Sequence, residues 1–388
     1  MFIVNLYYLS KKKIAVIGPA YPYRGGNALF VSYLFDVLKS DFDVKIFNYK
    51  LLYPSILFPG TTQQDKSNYV IKKADSERII NSINPFNWFK SAKKIDEFNP
   101  DLIIFDWWNP FFGPSHFVIS NNLKKKYKNK ILFITENVIS HEGRFVDKFL
   151  TKLGIKNADK FLVLSDTVEK SLKEYSGNKK IYKSSLPVYD CYNTGDIEDI
   201  TKLKSELGFS QSDRIILFFG YVRKYKGLNI LLDAMPELIK YDKNIKLLIV
   251  GEFYDNADKY YKQIDDLKIN DNVKVIQKFV PNEDVGIYYN VSELVVLPYL
   301  EATQSGVLNI AYGFNKPVVV TDVGGLSEDV DEGKTGFVVK SGDVKSLVEG
   351  IIKYFKSFDS VNFKDNISLK VKDNEFNKLP VLMKEILN

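Results

Sequence analysis

Ile215-Ile216-Leu217-Phe218-Phe219-Gly220-Tyr221-Val222-Arg223-Lys224-Tyr225-Lys226-Gly227 is the stretch on which the fold turns. Five consecutive apolar residues are too few for a helix and read as a strand covered on both faces. A loop with glycine at each end follows. Beyond Gly227, Leu228, Leu231, Leu232, Met235, Leu238 and Ile239 recur on one stripe of a helix. Strand, loop and helix in that order are the unit of a parallel α/β sheet.

The same unit recurs in both directions. Toward the N-terminus the apolar runs are Ile14 to Ile17, Val44 to Phe47, Leu102 to Phe105, Ile131 to Thr135 and Phe161 to Leu164. Toward the C-terminus they are Leu247 to Val250, Val273 to Ile276, Leu294 to Leu297 and Val318 to Thr321. Two series of similar size result, and the weakest stretch between them, about Leu186 to Asp199, is the expected hinge. The expected fold class is α/β, with two Rossmann-like, doubly wound domains facing each other across a cleft: 1–188, 189–370, and a C-terminal helix in 371–388 packing back on the first domain. Loops after the strands then point into the gap, where ligand chemistry belongs.

Composition agrees with two soluble domains. The chain has 388 residues, 45% hydrophobic and 26% charged, enough apolar mass for a core on each side of the split and too much for a disordered chain. Its single cysteine, Cys191, forms no intrachain disulfide or cysteine-based metal cluster, which points to a reducing compartment. Met1 to Tyr8 is apolar, but Lys11, Lys12 and Lys13 follow it, the reverse of a secretory signal. The run Trp107 to Leu123 is interrupted by Asn109, Pro110, Gly113 and Pro114 and so is no spanning helix. The expected location is the cytoplasm. The net charge of +6 hides an asymmetry: residues 1–188 carry 29 Lys and Arg against 17 Asp and Glu, while 189–388 carry 25 against 31. The basic half fits either an anionic surface or acceptor, or solvated lysine faces.

Three loops carry the chemistry. After Ile14 to Ile17, Gly18-Pro19-Ala20-Tyr21-Pro22-Tyr23-Arg24-Gly25-Gly26-Asn27 opens a helix without the G-x-G-x-x-G spacing of a dinucleotide fingerprint. Its paired glycines read either as a tight turn or as a place where a ligand meets backbone N–H groups. Arg223, Lys224 and Lys226 make the second loop either a diphosphate site or a solvated basic turn. The third loop, Pro298-Tyr299-Leu300-Glu301-Ala302-Thr303-Gln304-Ser305-Gly306-Val307, offers hydroxyls and free N–H groups at a helix N-terminus, where phosphate binds well.

In this order the features resemble the retaining family 4 glycosyltransferases of the GT-B fold (glycosyl transferases group 1). The resemblance rests on Gly220-x-x-Arg223-x-x-Lys226-Gly227, the Glu301 segment, Lys316-Pro317-Val318-Val319, Gly324-Gly325 and Glu328. In the first half it rests on Pro22-Tyr23-Arg24-Gly25-Gly26, Tyr53-Pro54, Leu57-Phe58-Pro59-Gly60, Trp107-Trp108-Asn109-Pro110-Phe111-Phe112, Asn137-Val138 and His141-Glu142. It implies that Arg223 and Lys226 hold the diphosphate of a nucleotide-sugar donor and that Glu301 contacts the donor sugar. Thr303, Gln304, Ser305, Gly306 and Val307 approach the phosphates, Gly25 and Gly26 lie beneath them, and the segment containing Val280 and Glu283 holds the base. Two positions depart from the family pattern. Asn309 stands eight residues after Glu301, where a second glutamate usually holds the ribose; counting back from Lys316 gives Ile310 instead. Glu136 precedes Asn137 where histidine is common, with His141 the nearest imidazole.

With only His116 and His141 in the chain, no histidine-based zinc site is expected, and Asp41/Asp43 and Asp329/Asp331 read as solvated pairs. No metal or other cofactor is therefore expected. The reading is a retaining, metal-independent hexosyl transfer from a nucleotide-diphosphate sugar to a carbohydrate or lipid-linked acceptor in polysaccharide or glycolipid synthesis, with no nucleic-acid partner. Phe86/Trp88/Phe89 with Lys90, Lys93 and Lys94, and Lys124 to Lys128, read as a rim in peripheral contact with the inner face of the membrane, as an acceptor groove, or as solvated lysine faces. A nucleotide-binding pseudoenzyme and a GT-B epimerase are the alternatives.

Overall fold

The computed structural model describes residues 10–57, 62–138, 145–195 and 199–388. Its first sheet contains β1 (Lys13–Ile17), β2 (Asp43–Leu51), β3 (Ser76–Asn81), β4 (Leu102–Trp107), β5 (Ile131–Thr135), β6 (Lys160–Val163) and β7 (Lys180–Lys183). The helices of that lobe are α1 (Gly26–Leu38), α2 (Pro85–Phe98), α3 (Gly113–Leu123), α4 (Phe145–Gly154) and α5 (Asp166–Ser176). After the short helix α6 (Ile200–Glu206), the second sheet is built from β8 (Arg214–Phe219), β9 (Ile245–Val250), β10 (Val273–Ile276), β11 (Leu294–Leu297), β12 (Val318–Thr321) and β13 (Gly336–Val339). The helices around it are α7 (Leu228–Tyr241), α8 (Asp258–Asp266), α9 (Asn282–Val291), α10 (Gly306–Gly313), α11 (Val344–Ser357) and α12 (Phe363–Lys372), and α13 (Leu379–Leu387) ends the chain.

Both sheets are doubly wound. The strand orders are β3-β2-β1-β4-β5-β6-β7 and β10-β9-β8-β11-β12-β13. Alternate residues of one strand feed different cores, as Ile215, Leu217 and Phe219 do on one face of β8 and Ile216 and Phe218 on the other. This two-sided burial is why the central strands read as unbroken apolar runs. The order reverses between β1 and β4 and between β8 and β11, so each lobe has one switch point where the crevice outside the strand ends opens. The loops after these four strands are therefore the ones that frame a site.

Three strands have no counterpart among the apolar runs of the sequence: β3, β7 and β13. Each lies at a sheet edge, and β3 and β7 hold only two adjacent apolar residues apiece among polar ones, as an edge open to solvent allows. The segment expected to be the hinge makes defined contacts with the first lobe. Tyr189 is buried and packs edge-on against Tyr33 of α1 (5.4 Å between ring centres), while the Tyr33 hydroxyl donates to Asp190 (2.5 Å) and accepts from the Cys191 N–H (3.1 Å). Residues 196–198 of that segment lie outside the described residues. Beyond α12 the chain returns to the first lobe. Phe376, Leu379, Met383 and Ile386 join the core formed by Phe30, Leu34 and the outer face of β1, and the Lys384 ammonium pairs with Asp41.

Candidate functional site

Two adjoining cavities open at the switch points. The first, about 330 Å³, lies between the α1 entrance and the loops after β8, β9 and β11; Arg24, Gly25, Gly26, Tyr189, Lys226, Val280, Gln304, Ser305, Gly306, Val307 and Ile310 are among its walls. The second, about 500 Å³, shares Arg24, Gly25, Gly26, Tyr221 and Tyr225 with it and extends toward Tyr53, Gln63, Trp108 and Asn109 of the first lobe and Arg223 and Tyr254 of the second. Gly25, at φ 104°, adopts a backbone that L side chains rarely take, and the bare edge of its loop faces both cavities.

Lys226 is the chemical centre of the first cavity. A short 3₁₀ turn, Lys224–Lys226, lifts it off the end of β8, and Gly227 at φ 67° lets the chain pass Pro298, whose carbonyl a Cβ there would strike. The side chain is buried, its ammonium 5.3 Å from the centre of the Tyr299 ring, with no carboxylate within salt-bridge distance among the described residues. Burial pulls its pKa below the usual lysine value. An ammonium desolvated without a counter-charge is costly, and an anion in the cavity offsets that cost. The N-terminus of α10 supplies matching donors. Ser305 caps it by accepting from the Leu308 N–H (3.4 Å), which leaves the first-turn N–H groups of Gly306 and Val307 at the wall. The buried Gln304 amide nitrogen, also at this wall, has no partner among the described residues.

Several expected site residues stand elsewhere. Glu301 is exposed and lines neither cavity. Asn309 is buried, its amide donating to the Ser305 carbonyl (3.2 Å) and its own carbonyl accepting from the Tyr189 N–H (3.2 Å). Helical spacing explains the substitution: residues 306, 307 and 310 share the cavity face of α10, and 309 does not, so Ile310 is the side chain presented there. Glu283 accepts from the backbone N–H groups of Asn68 (3.1 Å) and Tyr69 (3.4 Å), a tie between lobes rather than a contact in the first cavity. Arg223 faces the second cavity, not the one holding Lys226, with its guanidinium 5.0 Å from the Tyr254 ring centre. Thr303 bridges the cleft by donating to the Asn137 side chain. His141 lies outside the described residues, as do Phe58 to Gly60 and Glu142. Of the aromatic cluster on α2, Phe86 and Phe89 are exposed, whereas Trp88 is buried with its indole N–H donating to Asn81 (2.7 Å).

Glu136 sits just beyond β5, beside Asp106 near the end of β4. Asp106 is fully buried beneath α1 and packed on Gly18, and neither carboxyl oxygen accepts from an N–H group among the described residues. Glu136 accepts from the Asn27 amide (2.9 Å) at the start of α1. Burial first, and the neighbouring Glu136 charge second, hold the Asp106 carboxyl well above the usual carboxylate range. Burial also pushes Glu136 up to about 7, opposed by the Asn27 hydrogen bond. Two acids pressed together under a helix entrance retain protons that surface carboxylates lose.

Sequence reasoning assigned no role to Arg24 or Glu252. Arg24 reaches across the cleft to Glu252 (3.0 Å), packs 4.3 Å from the Phe279 ring centre, and leaves its buried Nη1 without a partner among the described residues. The signal available was its position directly before Gly25-Gly26. Glu328 also spans the lobes, accepting from the N–H groups of Asp166 (2.8 Å) and Thr167 (3.1 Å) and from the Thr167 hydroxyl (3.1 Å) at the start of α5. No group of three or more His, Cys, Asp or Glu side chains among the described residues is gathered as metal ligands would be, and no described helix is long and apolar enough to cross a membrane.

Solved structures share this two-lobed arrangement. The chain superposes on Anabaena Alr3699/HepE in complex with UDP with a TM-score of 0.73 at 16% identity, covering 97% of this chain and 99% of that one. It superposes on sucrose-phosphate synthase from Thermosynechococcus elongatus with a TM-score of 0.69 at 18% identity, covering 97% and 98%. The fold is GT-B. Within the GT-B frame, residues 199–366 match the family model described as Glycosyl transferases group 1. N-acetyl-alpha-D-glucosaminyl L-malate synthase of Bacillus anthracis is 25% identical over 212 residues, 53% of each protein. D-inositol 3-phosphate glycosyltransferase of Corynebacterium aurimucosum is 27% identical over 167 residues, 42% of this chain and 39% of that one. The chain thus spans about half, or less, of the length of these relatives.

Proposed function

We propose that the protein is a glycosyltransferase that moves a sugar, with retention of configuration, from a nucleoside-diphosphate sugar to an acceptor hydroxyl. The observation that carries this reading is the buried Lys226 ammonium, without a counter-charge among the described residues, facing the same cavity as the N-terminus of α10. Lys226, the N–H groups of Gly306 and Val307, and the Gln304 amide converge where a departing diphosphate needs positive charge. Because they are held in place before the bond breaks, they stabilise charge that develops in the transition state. The nucleoside lies toward Phe279 and Val280, which also line this cavity.

In the transfer, the acceptor oxygen bonds to the anomeric carbon as the bond from that carbon to the diphosphate oxygen breaks. The electron pair leaves with the diphosphate, and a phosphate oxygen on the same face takes the acceptor proton. No protein nucleophile and no metal is required by this scheme. The acceptor, a carbohydrate or a lipid-linked sugar of surface polysaccharide or glycolipid synthesis, approaches from the first lobe. Exposed Phe86, Phe89, Phe145 and Phe149, close in sequence to Lys90, Lys93, Lys148 and Lys152, suit a peripheral stance on an anionic membrane surface on the cytoplasmic side. UDP is the first nucleotide to test, since the Anabaena neighbour is seen with UDP.

The apolar Ile310 on the cavity face favours one second reading, a nucleotide-binding pseudoenzyme. Thermal-shift titration with UDP, GDP and ADP, followed by hydrolysis assays on the corresponding sugars, separates the two. Binding with slow hydrolysis that an acceptor pool accelerates supports transfer. Binding without any turnover leaves the pseudoenzyme, and no binding of any nucleotide defeats both.

A further inference from the structure

The second cavity is lined by none of Lys226, Gln304, Gly306 and Val307, the groups placed around the donor diphosphate. It adjoins the first through Arg24, Gly25 and Gly26, so a ligand in it lies alongside whatever occupies the first. Its walls contain no aspartate or glutamate. They do contain Arg223, whose guanidinium makes no hydrogen bond or ion pair among the described residues and lies over the Tyr254 ring, 5.0 Å from its centre. A stacked guanidinium is a fixed fork of donors, pre-organised for the two oxygens of a carboxylate or phosphate. On the first-lobe residues of the same wall, the Trp108 indole N–H is already spent on the Tyr53 hydroxyl (3.1 Å), and the Gln63 amide on both backbone groups of Tyr53 (2.9 and 2.7 Å). Trp108 and Tyr53 both line this wall, and aromatic side chains suit the C–H face of a sugar or polyol.

We propose that the second cavity is the acceptor subsite and takes a sugar or polyol bearing an anionic substituent, bound by Arg223 while its ring lies against Trp108 and Tyr53. This rests on the transferase reading and deepens it. It also assigns to Arg223 a task separate from that of Lys226: one cation for the acceptor, one for the donor.

The test measures binding by calorimetry in two stages on wild type and Arg223→Gln. UDP is titrated first. Glucose 6-phosphate, glucuronate and glucose are then titrated into the UDP-loaded protein, the two anionic probes distinguishing phosphate from carboxylate. In wild type, at least one anionic sugar binds about tenfold or more tightly than glucose, the scale of a charge-assisted hydrogen bond. In Arg223→Gln that preference disappears, while the Kd for UDP stays within about threefold of wild type, which also shows that the variant is folded. Three results overturn the proposal: no preference for either anionic sugar in wild type, a preference that survives in Arg223→Gln, or a UDP Kd weakened about tenfold or more in that variant, which returns Arg223 to the donor. If wild type binds none of UDP, GDP or ADP, the transferase reading itself fails, an outcome distinct from these three.

Discussion

The two lobes share one topology and present opposite chemistry at their switch points. The first lobe carries the chain's excess of lysine and arginine, yet between β1 and β4 it places Asp106 and, just beyond β5, Glu136, two acids whose pKa burial raises above the usual carboxylate range. The second lobe is acidic overall, yet between β8 and β11 it places Lys226 and a free helix N-terminus. Net charge is set by solvated side chains spread over a surface, whereas the field inside a cleft is set by the few groups denied water. The charge of a lobe therefore says little about the charge of its site.

The sharpest way to break this comparison is Lys226→Met, which keeps the volume and removes the ammonium. If Lys226 is held for an anion, the variant binds UDP about 100-fold more weakly, equivalent to about 2.7 kcal/mol. The ligand-free variant melts higher than wild type, because an uncompensated buried charge has gone. Calorimetry and a melting curve check both. A ligand-free variant less stable than wild type would make Lys226 a structural residue.

The first-lobe acids give the next largest effect. The folded-state pKa of Glu136 is raised, so between about pH 4.5 and about 7 the folded protein holds a proton that the unfolded chain releases. Stability must then fall as pH rises through that window. Glu136→Gln keeps an oxygen for Asn27 and removes the titration, so its melting temperature is flatter with pH. At pH 8 it is more stable than wild type by on the order of 2 kcal/mol, with little difference at pH 4.5. Melting curves at both pH values decide it, and parallel profiles for the two proteins would mean that Glu136 ionises like a surface acid.

How much of this was legible depended on burial. Central strands such as β8 and β11 were plain because both faces are covered, and the glycine loops that follow them drew attention to Lys226, Ser305 and Gly306. Edge strands β3 and β7 were hidden by polar residues on their open sides. Position within a motif did not reveal orientation: Arg223 and Lys226 are three residues apart in one loop and face different cavities, and Asn309 and Ile310 are consecutive yet only one lines the wall. The partnership of Arg24 with Glu252, more than 200 residues away in the chain, exists only once the lobes face each other.

The smallest expected effect concerns what holds the two lobes in register. Glu328 leaves the second lobe to cap α5 of the first, where three donors converge on its carboxylate. A carboxylate at a helix N-terminus gains from both the free N–H groups and the helix dipole. Glu328 is exposed, however, so water and salt screen the charge. Glu328→Ala should lower stability by less than about 1 kcal/mol at low salt, and the difference should shrink toward zero as ionic strength rises past the point where the Debye length is about 3 Å, near 1 M. Glu328→Gln, which keeps the acceptor oxygen without the charge, should fall between. If the alanine variant loses the same stability at 1 M salt as at low salt, the contact acts through packing between the lobes and not through the charge that the second lobe lends to the first.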